Sequence, residues 1–448
     1  MSSTKKMKRR MYQVHAARRA LYGKKKRILI VSPGGSGKTE IAAQVAVVVV
    51  KRKERVLVIT HRRVIVTQIK KHLGKRVPVG IIMGDALTAP DATVQIASVD
   101  TLKNRELPDA DVIIIDEAHR AVAATYAKIL KHYKGKRIIG FTASPVRLDN
   151  VGLREVFDEL YEAVKPSKII GKYIMDAKIW SAKEEHLPEL LGVRRDGNND
   201  YATADLVKRV NKDGLVGGIV EHALLRLEGR TAICFCVSIE HSKHVVANFN
   251  AAGIKAAHVG SDMSEQAIKE VLRQLEFGEI QVVCCCFLLA EGWDLPTCEA
   301  VILARPTRSL SLYLQMCARA ARMSKRSTLI LDHACNTILH GSPTEDRVWT
   351  LDGEDRTSKD PAEPRAKVCL ACQHINSGTS TTCSACGKAL PMPETKAMIN
   401  ERKEFELAER TKKQMEADRE RVLAFAKKKG LPATFTNAVL QDLAKRHA

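Results

Sequence analysis

A chain of 448 residues has room for two or three domains, and 45% hydrophobic residues can supply their cores. A net charge of +22 points to a polyanionic partner, with nucleic acid ahead of an anionic membrane surface. No apolar stretch reaches the roughly 18 residues a membrane-spanning helix needs, so no membrane partner is expected, and the start of the chain lacks the apolar core of a secretory signal.

In chain order, residues 1–26 form a basic N-terminal segment. The first 27 residues carry 11 basic and no acidic side chains. This composition also suits a transit peptide, but cleavage would remove Tyr12 and Gln13, which belong to the motif "RMYQ" discussed below. Short apolar runs then alternate with helical segments. "RILIV", "RVLVIT", "TVQIAS", "DVIIID" and "KRIIGFT" read as buried parallel strands of one α/β domain, residues 27–165. "TAICFCV", "IKAAHV", "IQVVCCC", "EAVILA" and "STLILD" repeat the pattern in a second domain, residues 166–335. Residues 336–366 have prolines and charges with little apolar period and read as a linker. A cysteine cluster at 367–391 and a charged helical tail at 392–448 complete the chain. Eight of the 12 cysteines lie in or beside apolar runs, where they act as small hydrophobes in a reducing compartment.

The stretch "VSPGGSGKTE" joins a strand to a helix, the context of a phosphate-binding loop, although Ser32 stands at the usual first glycine. Gly34, Gly35, Ser36 and Gly37 would offer backbone N–H groups to an anion, Lys38 would reach the phosphates, and Thr39 would ligate Mg²⁺. In "VIIIDEAHR", Asp116 and Glu117 fall at the C-terminal edge of a strand, where parallel sheets bind ligands. Asp116 is the candidate Mg²⁺ ligand and Glu117 the group that polarises an attacking water. Cys369, Cys372, Cys383 and Cys386 are spaced C-x2-C, ten residues, C-x2-C, which suits a closed tetrahedral Zn²⁺ site of structural kind. His333 and His374 lie nearby, but four thiolates already complete such a shell.

With these motifs in place, residues 10–335 resemble the superfamily 2 helicases and translocases of the DEAH-box kind, in which Ala or Ser often replaces the first loop glycine. The resemblance implies two tandem RecA-like domains that hydrolyse ATP in the cleft between them. It implies that Arg10 and Gln13 of "RMYQ" read adenine, a task suited to an amide with both donor and acceptor. His61, Arg62, Ser98 and Thr101 would contact a nucleic-acid backbone. His119, Thr142 and Ser144 would couple nucleotide state to strand grip. Gly292 and Asp294 of "LLAEGWDLP" would approach the nucleotide. Gln315, Arg319 and Arg322 of "SLYLQMCARAARMS" would complete the catalytic set, with Ala318 at a position where the family has Gly.

The cysteine cluster narrows the likeness to RadD-like DNA helicases of bacteria and phages. The expectation is therefore a cytoplasmic, ATP- and Mg²⁺-dependent DNA helicase or translocase with a structural Zn²⁺. Two alternatives stand beside it: an RNA helicase or remodeller, and a nucleic-acid-binding adaptor whose ATPase gates binding without strand separation. A type III restriction-like motor fits the motifs, but the chain leaves little room for a nuclease domain.

Overall fold

The computed structural model describes residues 10–390 except 62–65, 67–68, 71–72, 75, 85, 291–296, 322–323, 325 and 355–364, together with residues 416, 420, 423 and 424. All ten apolar runs become strands. The first sheet contains Arg27–Val31 (β1), Val56–Thr60 (β2), Val79–Met83 (β3), Ala86–Thr88 (β4), Val94–Ser98 (β5), Val112–Asp116 (β6), Arg137–Thr142 (β7) and Glu159–Glu162 (β8). Its order is β4-β3-β5-β2-β6-β7-β1-β8, parallel except at the β3–β4 edge. The second sheet contains Ala177–Ser181 (β9), Ala232–Phe235 (β10), Ala256–Val259 (β11), Val282–Cys285 (β12), Ala300–Leu303 (β13) and Thr328–Asp332 (β14). Its order is β11-β12-β10-β13-β14-β9, parallel throughout. The short or partly polar strands β3, β4, β8 and β9 add to the ten runs at the sheet edges.

Each sheet is buried on both faces, which explains the lack of polar alternation in its strands. In β1 and β2, Ile28, Ile30, Val56 and Val58 pack into one core, while Leu29, Val31, Leu57 and Ile59 pack into the other. Successive side chains point to opposite faces, so a strand covered on both must be apolar at every position. The strand order has a direct consequence for function. β7 pairs with both β1 and β6, with Val31 opposite Thr142 and Phe141 opposite Asp116. The phosphate-loop candidate, the acidic pair and Thr142 therefore share one sheet edge.

The stretch expected to be a linker is packed over residues 336–354. It forms the helix Asn336–His340 and a hairpin of Trp349–Thr350 (β15) and Gly353–Glu354 (β16). The Leu351 carbonyl accepts from Leu153 N at 2.7 Å and Arg154 N at 3.1 Å. A Cβ on Gly152 would lie 2.1 Å from that carbonyl, so the close approach requires glycine there. Trp349 packs against apolar clusters of both sheets, so the segment works as a strap between them. Its charges made it look like a linker, yet they neutralise one another. Arg347, with a side chain only 3% exposed, pairs with Glu345 and Glu354 at 3.0 Å each, and Arg365 reaches Glu354 at 2.9 Å. The expected tail, 392–448, lies outside the described residues except for four positions.

Removing the central cation would leave buried carboxylates short of charge. Arg347→Met is expected to cost about 3–5 kcal/mol of stability, measured by chemical denaturation. An unchanged unfolding midpoint would show that the strap's charge cluster holds nothing together.

Candidate functional site

The loop Ser32–Gly37 leaves β1 and enters the helix Lys38–Lys51. Ser32 replaces the first glycine without strain because its hydroxyl is used as a brace. Its Oγ donates to Ser36 Oγ at 2.7 Å, and Ser36 Oγ donates to the Pro33 carbonyl at 2.6 Å. Gly37 caps the helix with φ 88°, a left-handed conformation open to glycine, and a Cβ there would meet Gln13 Nε2 at 2.6 Å. Gly34 is needed for another reason: a Cβ on it would lie 2.4 Å from the Ala318 Cβ. The loop and the second domain therefore touch where Ala318 departs from the expected Gly.

The segment "RMYQ" is fastened to this loop. Gln13 Nε2 donates to the Ser36 carbonyl at 3.1 Å, and its Oε1 accepts from Arg10 N at 3.1 Å. Tyr12 Oη and Arg10 Nη1 donate to the same carbonyl at 2.6 and 3.1 Å. One N–H and one lone pair of the Gln13 amide remain, the pair of functions that the N7 and N6 of adenine require. Arg10 also lies over the Tyr173 ring at 3.8 Å, joining this corner to the segment that leads into the second sheet.

Asp116 ends β6, and Glu117 follows with φ 48° and ψ 54°, an uncommon conformation for a residue with a Cβ. Desolvation, with the Glu117 carboxylate beside it, pushes the Asp116 carboxyl up to about 7 against the pull of Lys38. Two adjacent carboxylates facing one lysine, with the Thr39 hydroxyl opening the neighbouring helix, make an oxygen donor set that fits a hard divalent cation. Lys38 Nζ reaches the Ser32 carbonyl at 3.4 Å.

A ring of buried polar groups crosses the cleft. His119, 2% exposed, places Nδ1 at 3.4 Å from Thr142 Oγ1 and 3.5 Å from Glu117 Oε2. Gln315 Nε2 donates to His119 Nε2 at 3.1 Å and to Ser311 Oγ at 3.2 Å. Ser311 Oγ lies 2.9 Å from Ser144 Oγ, and Thr142 Oγ1 donates to the Ser144 carbonyl at 2.8 Å. Gln315 and Ser311 sit one turn apart on the helix Leu310–Cys317, which Ser309 caps through Leu312 N. Ser311 was not among the residues singled out in the sequence. Its spacing of four from Gln315 on a helix was the available signal.

The other expected residues divide into three groups. Arg319 follows that helix, with Nε directed to the Gln315 carbonyl at 3.4 Å. Ser98, 5% exposed, ends β5, and the Thr101 hydroxyl accepts from Gly84 N at 2.8 Å. His61 is half-buried just beyond β2. Arg62, Gly292, Asp294 and Arg322 lie outside the described residues.

The four cysteines come together. Cys369 and Cys386 Sγ are 3.6 Å apart, Cys372 and Cys383 Sγ are 3.7 Å apart, and all four lie within 4.8 Å of one another. A tetrahedron with Zn–S bonds of 2.3 Å has edges of about 3.8 Å, so the thiols fit such an ion. Two matching turns build the site. Cys369 N donates to the His374 carbonyl and Cys383 N to the Lys388 carbonyl, with Gln373 at φ 65° and Gly387 at φ 71° in the same position of each turn. Desolvation would raise the Cys383 thiol, but the N–H groups of Ala385 and Cys386 hold it down to about 6, in favour of the thiolate. His374 is no ligand. It packs edge-on against Trp180 at 4.9 Å and forms a bridge with it, while Ser181 N donates to the Gln373 carbonyl at 2.9 Å. Arg226 lies over Trp180 at 3.6 Å and donates to the Cys372 carbonyl. The knuckle is thus docked on β9, the edge of the second sheet.

Comparison with known proteins agrees with this geometry. Residues 6–147 match the family model "Type III restriction enzyme, res subunit", and residues 217–324 match "Helicase conserved C-terminal domain". The chain belongs to the superfamily 2 helicases, and it is an enzyme of the ATPase/helicase class. It is 29% identical over 390 residues to a 51.5 kDa protein of a Lactococcus phage, covering 86% of this chain and 83% of that protein. It is 31% identical over 296 residues to the IRC3 protein of Saccharomyces cerevisiae, provisionally named an ATP-dependent helicase, covering 62% of this chain but only 42% of that protein. Among solved structures, a fragment of an HsdR subunit of a type I restriction enzyme from Vibrio vulnificus matches with a TM-score of 0.58 at 22% identity, over 77% of this chain and 69% of that one. This last likeness establishes the fold of two RecA-like domains. No helix among the described residues is long and apolar enough to cross a membrane.

The knuckle has little apolar interior, so its folding is expected to depend on a bound metal. Replacing Cys369 and Cys372 with Ser is expected to remove one equivalent of Zn²⁺ by elemental analysis. Because the knuckle braces β9, the same change should lower the thermal midpoint of the whole chain. Metal content equal to wild type would contradict the site, and an unchanged melt would contradict the brace.

Proposed function

We propose that the chain is an ATP-driven DNA helicase or translocase of the RadD-like, DEAH-box kind. The observation that carries this is the ring His119–Thr142–Ser144–Ser311–Gln315, which ties the acidic pair of the first sheet to a helix of the second. A motor needs such a tie, because hydrolysis on one side must change grip on the other. The phosphate loop and Lys38 hold the triphosphate, Gln13 and Arg10 read adenine, and Gly292 and Asp294 approach the nucleotide from the second domain. Glu117 orients the attacking water and takes its proton. Arg319 and Arg322 face the charge that develops on the transferred phosphoryl group. Thr39 and Asp116 would hold Mg²⁺, which would supply charge neutralisation at the phosphates. Contacts to the nucleic-acid backbone fall to His61, Arg62, Ser98 and Thr101, and Zn²⁺ in the four-cysteine knuckle would be structural.

DNA is favoured over RNA because the family model at residues 6–147 is named for a restriction-enzyme subunit, a class that acts on DNA. The domain limits follow the two sheets, with the crossover falling between Glu162 and Ala177. Cytoplasmic location, in a bacterial cell or a phage-infected host, is part of the same reading and draws on the phage relative.

Steady-state ATPase assays with single-stranded DNA, duplex DNA, forks and RNA test this directly. DNA is expected to stimulate turnover more than RNA. Lys38→Ala should abolish hydrolysis, and Glu117→Gln should bind ATP but turn over at least ~10²-fold more slowly. Near-normal turnover in either variant would overturn the site, and stimulation by RNA alone would overturn the substrate.

A further inference from the structure

The C-terminal edge of the second sheet carries a feature that the ATP site does not use. Phe287 lies two residues beyond β12, and Arg305 two residues beyond β13. Phe287 is 41% exposed, whereas Arg305 is 3% exposed and lies under the ring, with its guanidinium carbon 3.8 Å from the ring centroid. With Arg305 against one face, the 41% exposure of Phe287 leaves part of its ring open among the described residues. Three strand ends fix the pair, because the Val237 carbonyl beyond β10 accepts from Arg305 Nη1 at 3.0 Å and from Cys286 Sγ at 3.1 Å.

Arg305 is an unusual support for a surface ring. Its Nε is buried without a hydrogen-bond partner, and the carboxylates of Asp200 and Asp196 act on it without bonding to it. Phe277 offers a contrast. It is more exposed, at 70%, but its neighbour Arg273 is neutralised by Glu270 and Glu279 on a helix surface. Arg305 is balanced only from a distance, by Asp200 and Asp196, so its guanidinium still polarises the π-system above it. A flat apolar face backed by a buried cation, on the sheet edge where parallel sheets bind ligands, has the chemistry of a nucleobase platform.

We propose that Phe287, backed by Arg305, stacks one base of a single-stranded nucleic acid. This rests on the reading of the chain as a nucleic-acid motor. It adds a contact to a base to a grip otherwise made on phosphates and sugars. Every base has a π-face, so the platform tolerates any sequence but requires an unpaired base.

The test is equilibrium binding of the full chain to fluorescein-labelled oligodeoxythymidine and to an abasic oligomer of the same length. Phe287→Ala should weaken oligodeoxythymidine binding about 10-fold or more, with abasic binding nearly unchanged and the salt slope preserved, since no phosphate contact is lost. Phe287→Trp should restore affinity, and a thermal melt of each variant identifies any loss caused by unfolding. Undiminished binding by a folded Phe287→Ala chain, or equal losses on both oligomers, would overturn the platform. Failure of the wild-type chain to bind either oligomer would instead overturn the motor reading, and the platform with it.

Discussion

A buried imidazole is stabilised when both its nitrogens are satisfied, and those of His119 find their partners on opposite sides of the cleft. With the Gln315 amide donating to Nε2, His119 is the Nδ1–H tautomer, and its proton faces Thr142 and Glu117. The two sides of the imidazole thus belong to different sheets. Separating the sheets would strand polar groups on His119, Ser144, Ser311 and Gln315, each at a cost of about 1–3 kcal/mol. A buried polar ring is stable when complete and costly when broken, so the cleft has two favoured conditions rather than a continuum. On the proposed reading, that is the physical basis for coupling hydrolysis to motion.

The scaffold sets up that contact in stages. Strand order puts the phosphate loop, Thr142 and the acidic pair on one edge, because β7 lies between β1 and β6. The close approach of Gly34 to Ala318 brings the second domain onto the loop. The strap of residues 341–354 then spans the two sheets through Trp349 and Leu351, and the cysteine knuckle holds β9 from its open edge. An exposed strand edge invites pairing with other chains, and the docked knuckle covers this one.

Much of this was legible in the sequence. Ten largely apolar runs could hardly be anything but buried strands, and the cysteine spacing marked four thiols that the fold brings together. The loop Ser32–Gly37, the acidic pair and Thr142 lie where strand order brings them together. Other features were hidden for physical reasons. Edge strands such as β8 and β9 are half-exposed and lack a clean apolar run. The strap read as a linker because its charges are paired by the fold, and composition cannot show pairing. The docking of His374 on Trp180 joins residues far apart in the chain. Gln373 in a left-handed turn matched no expectation, because glycine usually fills that position.

Whether His119 and Gln315 act as one unit across the cleft is measured most directly by a double-mutant cycle. DNA-stimulated ATPase would be compared for His119→Ala, Gln315→Ala and the double variant. The account predicts that the double variant loses little more than the worse single one, a coupling of at least about 1 kcal/mol. Losses that simply multiply would show that the two residues act independently and that the ring does not join the domains.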